Sequence, residues 1–338
     1  MQEQARVGLL GIGRIGLGHA AILRDLPRVT ELVLADALPG HAAAVATDLG
    51  VTHTDINTLF DRERVDCLVI ATGTDTHADL LVRAAETQMP VFCEKPVATD
   101  ITDARRAIDA LEAAGTLNHI GFHRRFDPGY LEAKRRLESG ELGELRRIHL
   151  LSCDMNTPDP AFIPTSGGIF RDCMIHDFDI LRWTTGQRVH EVHAYGTAKG
   201  DPVYSASQDA SDAVLLLTLE DGTLGTAHTS RYNGAGHDVR MELAGDKGGV
   251  VVGLDDRAPL RSAEPGHHDL PGPVWTNFLE RFAPCYAAEL AAFVDAVLDD
   301  TPSPCTAADA LEALYVATAA TTSYREGRPV LVEDIRAS

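Results

Sequence analysis

The sequence predicts a two-part protein: a doubly wound parallel α/β sheet over residues 1–121, then an α+β region with a largely antiparallel open sheet over residues 122–338. Three observations predict it. Apolar strand-like runs alternate with helix-period stretches in the first third. Consecutive strands joined by tight-turn signals fill the middle. A chain of 338 residues is also longer than one core usually serves.

The strand runs of the first part are residues 6–10, 31–36, 65–71, 90–94 and 117–121. Helix-period stretches at 77–86 and 102–114 lie between them, with Asp100 placed to cap the second. Beyond residue 121 the strands are expected at 145–152, 189–195, 213–220, 223–230, 239–244 and 250–253. Asp221-Gly222 and the GDKGG run at 245–249 read as hairpin turns. Residues 286–298 and 307–324 read as helices, separated by Pro302 and Pro304.

Composition excludes several partners. Fifty Asp+Glu against 30 Lys+Arg give a net charge of −20, spread along the chain rather than gathered in a tail. Nucleic acid and anionic membranes both require a basic face. No apolar run reaches the roughly 18 residues of a membrane span. The six Cys are scattered without a C-x-x-C pair and no signal peptide is read, which points to reduced thiols and a cytoplasmic protein.

Gly11-Ile12-Gly13-Arg14-Ile15-Gly16 follows a strand and opens a helix, and Asp36 ends the next strand 20 residues after Gly16. That context makes G-x-G-x-x-G a Rossmann dinucleotide fingerprint, with phosphates at the helix N-terminus. Asp36 suits the ribose hydroxyls of NAD and repels the 2′-phosphate of NADP, and Ala37-Leu38-Pro39 brings no cation to hold one; His41 is the nearest. Ala71, Thr72, Gly73 and His77 leave the third strand on the edge where such ligands bind, so Thr72 and His77 are expected at the cofactor.

Glu94-Lys95-Pro96 ends the next strand on that edge, and the chain has only four Lys. An ammonium there is suited to hold a reacting hydroxyl, and Pro96 restrains the backbone, with a cis bond possible. Residues 167–183 read as one helix-like stretch. Asp172 and His176 are then i and i+4, about 6 Å apart along one face. A carboxylate beside an imidazole is what a general base needs. A surface charge pair, or a metal site using His176, Asp177 and Asp179, are the alternatives; no metal is expected.

The sequence resembles the Gfo/Idh/MocA family of NAD(P)-dependent oxidoreductases, in its inositol (cyclitol) dehydrogenase branch. The resemblance rests on the glycine fingerprint, A-T-x-x-x-x-H, E-K-P, G-F-x-R-R-F-D at 121–127, S-G-G-I-F-x-D-x-x-I-H-D-F-D at 166–179, and the aromatic segment 278–294. It implies a Lys95–Asp172–His176 catalytic set: His176 as general base, Asp172 positioning substrate and imidazole, Lys95 on the reacting oxygen. Arg125 and Asp154 become candidate substrate contacts, and homo-oligomers, dimers or tetramers, are implied. The family's N-x-Y-G-Y-D-Q-R becomes 233–240 here, with Ala235, His237 and Val239 at altered positions. This implies a roomier pocket with His237 as a contact. Gly73 replaces a common Pro, and His123 stands where a neutral residue is usual. The expected reaction is oxidation of a cyclitol ring alcohol to a ketone. A sugar or aminocyclitol dehydrogenase, or the reverse ketone reductase, is the near rival. A family member that keeps its NAD bound while exchanging hydride between two sugars is another, and a non-catalytic nicotinamide sensor is the rival from another class.

Overall fold

A computed structural model describes residues 3–266 and 272–338. The chain begins β1 (Ala5–Leu10), α1 (Arg14–Asp25), β2 (Val29–Ala35), α2 (His41–Leu49) and β3 (Thr52–His53). It continues β4 (Cys67–Ile70), α3 (Thr74–Glu86), β5 (Val91–Glu94), α4 (Ile101–Ala114) and β6 (Asn118–Gly121). Then follow α5 (Pro128–Glu138), β7 (Leu145–Cys153), α6 (Ile169–Asp172), α7 (Ile175–Thr185), β8 (Val189–Thr197) and α8 (Val203–Ala206). The remainder is β9 (Asp212–Leu219), β10 (Leu224–Ser230), β11 (Asp238–Gly245), β12 (Gly249–Val252), α9 (Phe278–Arg281), α10 (Ala283–Asp299), α11 (Ala307–Glu326), β13 (Val330–Leu331) and α12 (Val332–Ala337).

These elements form two compact units, Met1–His123 with Pro284–Glu312, and Arg124–Ala283 with Ala313–Ser338. In the first, six parallel strands lie in the order β3-β2-β1-β4-β5-β6. The order reverses between β1 and β4, the crevice where doubly wound sheets bind ligands. Apolar strand residues such as Leu9, Val69 and Phe92 are fully buried, as a sheet covered on both faces requires. Asp100 caps α4 by accepting the Asp103 N–H.

The first unit holds more than residues 1–121. Leu290, Phe293 and Val294, one helical face of α10, join the core cluster of Leu9, Val69 and Phe92. Residues after 304 also cover the β6 edge, where Ile120 N donates to Cys305 O at 2.9 Å and Ala307 N to Asn118 Oδ1 at 2.7 Å. The segment 284–312, expected with the second region, therefore belongs to the first. An amphipathic helix shows in its sequence that it has a buried face, but not which sheet buries it.

The second unit carries a seven-stranded sheet in the order β12-β11-β7-β10-β9-β8-β13. Every neighbouring pair is antiparallel except β7 and β10. Both expected hairpins are present, β9–β10 turning at Gly222 with φ +87° and β11–β12 turning through 246–248. Alternation along β9 buries Ala213, Leu215, Leu217 and Leu219 and exposes Val214 and Leu216. One sheet face is thus core and the other open.

Candidate active site

The glycine loop joins β1 to α1. A Cβ on Gly16 would lie 2.0 Å from Gly11 O, and Gly11 itself takes φ +89° against Ala71 O, so loop and helix can approach this closely only as glycines. Around Gly13, by contrast, a Cβ would meet no protein atom within 4 Å. Gly13 is exposed and caps α1, with no side chain completing the cap. Arg14 and Ile15 begin the helix, whose first-turn N–H groups and dipole favour an anion. Asp36 closes the loop from β2: Oδ2 accepts the Ile12 N–H and Oδ1 the Leu38 N–H, both at 2.8 Å. A carboxylate has about four acceptor sites, so two remain for ribose hydroxyls. The residues present fit a dinucleotide, NAD in particular.

Thr72 and Gly73 lie in the turn that follows β4 on the same sheet edge, and Thr72 Oγ1 lies 2.7 Å from Thr76 Oγ1. Gly73 holds φ −67°, a value proline also adopts, so replacing the family's proline changes no backbone shape. His77 lies in the first turns of α3. Its ring is turned inward, 1% exposed, with Nδ1 2.7 Å from Pro96 O and Nε2 3.2 Å from Thr72 O. It ties the turn after β4 to the turn after β5. Burial lowers its pKa below the usual imidazole value, while the carbonyl contacts pull the other way.

That shift has a stability sign. The native ring stays neutral below about pH 6.5, where the unfolded chain takes up a proton, so stability falls as pH drops through the window beneath 6.5. Urea unfolding at about pH 7.5 and about pH 5.5 is expected to show a shallower pH dependence for His77→Gln than for the wild type. Equal slopes would remove His77 as a contributor.

Beyond β5, the Lys95–Pro96 bond is cis. Lys95 is half-buried, and its N–H donates to Glu94 Oε2 at 3.3 Å. Glu94 Oε1 lies 2.7 Å from Nε2 of His19, a buried residue of α1. The glycine-loop helix therefore supports the turn that carries Lys95. His19 had a legible signal: it follows Gly16 by three residues on the face that buries Gly16, His19, Ala20 and Leu23. His123, also of this unit, is buried and stacks on Tyr286 at 4.4 Å.

In the second unit, residues 167–183 are not one helix. Gly167 and Gly168 take φ +80° and +90°, α6 ends at Asp172, and a turn at 173–174 precedes α7. Asp172 and His176 thus belong to successive helices, and the single-face spacing does not apply across the turn. Asp172 is not half of an exposed surface pair, because its Oδ2 accepts Arg231 Nη1 at 2.8 Å. Asp177 is fully buried and takes Arg124 Nη1 at 2.5 Å and Ser152 Oγ at 2.7 Å. Asp179 is chelated by Arg125 through Nε at 2.9 Å and Nη2 at 2.5 Å. Among the described residues, no group of three or more His, Cys, Asp or Glu is arranged to hold a metal.

Two of the expected substrate contacts are buried in the same packing. Arg125 is 5% exposed and committed to Asp179, a fork-to-fork pair that fixes α7. His237 is 3% exposed, edge-on to Phe282, with Nδ1 3.3 Å from Asp154 Oδ1. That approach lies outside hydrogen-bond geometry, so it is an ion-pair distance only. Asp154 is the exposed member of the pair, its side chain 37% accessible.

Fold and site together define a nucleotide-binding oxidoreductase. Residues 5–122 match the family described as "Oxidoreductase family, NAD-binding Rossmann fold", and residues 130–251 the "GFO/IDH/MocA C-terminal domain". The chain belongs to the GFO/IDH/MocA family of NAD-binding oxidoreductases. It is 33% identical to the scyllo-inositol 2-dehydrogenase (NAD(+)) of Bacillus subtilis (strain 168), over 100% of this chain and 99% of that one. Its structure is similar to the myo-inositol dehydrogenase of Corynebacterium glutamicum ATCC 13032, with TM-score 0.88, 32% identity and coverage of 97% and 98%. It is also similar to the scyllo-inositol dehydrogenase of Lactobacillus casei with bound NAD(H) and scyllo-inositol, with TM-score 0.88, 26% identity and coverage of 98% and 99%.

Proposed function

We propose that this chain is an NAD-dependent cyclitol dehydrogenase that oxidises a ring secondary alcohol to a ketone. The observation that carries this reading is similarity along the whole chain to proteins named for inositol oxidation. The glycine loop closed by Asp36 supports it independently.

Each side chain then has a task. Gly11, Ile12, Gly13, Arg14, Ile15 and Gly16 supply backbone to the dinucleotide phosphates, Asp36 takes the ribose, and Ala71, Thr72, Gly73 and Glu94 line the remaining edge. When bound, NAD supplies the acceptor for the hydride. Lys95 holds the reacting hydroxyl oxygen, where its ammonium favours the developing alkoxide. His176 takes the hydroxyl proton as general base. Asp172 orients the imidazole and, with Asp154, accepts hydrogen bonds from ring hydroxyls. His77, Arg125 and His237 act behind these groups.

The protein in this reading is a cytoplasmic homo-oligomer, a dimer or tetramer, without nucleic-acid or membrane partners. No helix among the described residues is long and apolar enough to cross a membrane. The open face of the second sheet carries Tyr195, Val214, Leu216 and Leu224, each 47% exposed or more, a patch suited to burial against a second copy.

The test is a panel of inositol stereoisomers, amino-substituted cyclitols and aldoses, followed by NADH absorbance with NAD and with NADP. A cyclitol is expected to respond, with NAD far better than NADP. Silence toward every polyol beside a response to another alcohol class would overturn the substrate reading. Equal efficiency with NADP would overturn the role of Asp36.

A further inference from the structure

Among the described residues Arg231 is the largest fully buried side chain, and no motif in the sequence singled it out. It follows the last residue of β10, and its guanidinium reaches three places. Nη1 donates to Asp172 Oδ2 at 2.8 Å. Nη2 donates to Ser166 Oγ at 3.2 Å and to Asp209 Oδ2 at 3.3 Å. Asp209 is itself fixed, its Oδ1 accepting the N–H groups of Ile169 and Ala210. One cation therefore joins the end of β10, the glycine turn at 166–168, the start of α6 and the last residue of α6.

The two carboxylates differ in accessibility. The Asp209 side chain is 8% exposed and that of Asp172 is 22% exposed. Arg231 thus rests one arm on a buried anchor and extends the other to the one carboxylate that solvent or substrate can reach. We propose that Arg231 is a positioning residue for the dehydrogenase reaction, fixing Asp172 by Oδ2 so that the carboxylate is presented in one orientation to the imidazole and the substrate. The inference rests on the catalytic role proposed for Asp172 and His176.

Two consequences separate positioning from scaffolding. A carboxylate held by a fixed guanidinium stays in one rotamer, and a misplacement of about 1 Å in such a group costs up to about 100-fold in rate. The local charge also matters, since a cation beside Asp172 opposes the formation of imidazolium. Arg231 after β10 and the neighbouring Cys173 Sγ approach the Asp172 carboxylate, Asp209 sits on the other arm of Arg231 with Tyr204 in electrostatic reach of both, and Arg171 donates to Thr318.

The experiment compares Arg231→Gln, Arg231→Lys and Asp172→Asn in the full chain, reading kcat, KM for the responding polyol, Tm and the pH profile of kcat/KM. Arg231→Gln is expected to lower kcat about 10- to 100-fold with a smaller change in KM. Its acid limb should move upward by about half a pH unit, because the opposing cation is gone. Arg231→Lys should restore the limb and part of kcat. A folded Arg231→Gln protein with wild-type kcat and an unmoved limb, while Asp172→Asn is inactive, overturns the positioning role and leaves Asp172 standing. Near-normal turnover in Asp172→Asn overturns both. Where Arg231→Gln does not fold, Arg231→Lys decides: reduced kcat at an unchanged limb supports the role, and wild-type kcat overturns it. Failure of both variants to fold makes Arg231 a structural residue and overturns it too.

Discussion

His176→Ala is expected to lower kcat about 10²- to 10⁴-fold, the range a positioned general base contributes. NAD binding should persist, because the glycine loop and Asp36 belong to the first unit while His176 lies in α7 of the second. Added imidazole should restore part of the rate, as it supplies the missing proton acceptor without the missing backbone. Lys95→Ala is expected to lose turnover on a similar scale for a different reason: the alkoxide forming on the substrate loses its cation. Exogenous imidazole should leave that variant unchanged. NADH production for kcat and titration calorimetry for NAD binding check both. Near-normal turnover in either variant would refute the role assigned to that residue, and loss of NAD binding together with turnover would place it at the cofactor instead.

The residues that specified the cofactor half did so because their constraint is local. Gly11, Gly16 and Asp36 act through a turn, a close approach and a strand end, all within 26 residues of chain. Asp100, Gly222 and the 245–249 turn were legible for the same reason: each fixes a cap or a hairpin with its immediate neighbours. What stayed hidden is long-range pairing. Arg125 and Asp179 look like site residues beside their motifs, yet they satisfy one another across 54 positions. Arg231 reaches Asp172 across 59 and Arg124 reaches Asp177 across 53, distances at which no periodicity links the partners. The helix allegiance of α10 was hidden in the same way, since its apolar face matches either core.

The largest stability effect should come from one of those hidden pairs. Asp177 is 0% exposed, and burial pushes its carboxyl above the usual range even though Arg124 and Ser152 pull downward. Desolvation therefore outweighs attraction in setting the protonation of this carboxyl. Removing one partner leaves a buried charge without its counterion, at a cost of about 3–5 kcal/mol. Arg124→Ala is expected to show that loss in urea unfolding. The sign with pH distinguishes a stranded charge from a cavity. The native carboxyl in the variant has a pKa above its unfolded value, so it takes up a proton first as pH falls, and the folded state recovers. The difference between variant and wild type should therefore shrink from about pH 8 to about pH 5. Replacing both partners, Arg124→Met with Asp177→Leu, should recover most of the stability, because apolar groups of similar volume carry no desolvation cost. A pH-independent loss would assign the effect to lost packing around Arg124, and a change under about 1 kcal/mol would mean that water reaches Asp177 once the guanidinium is gone.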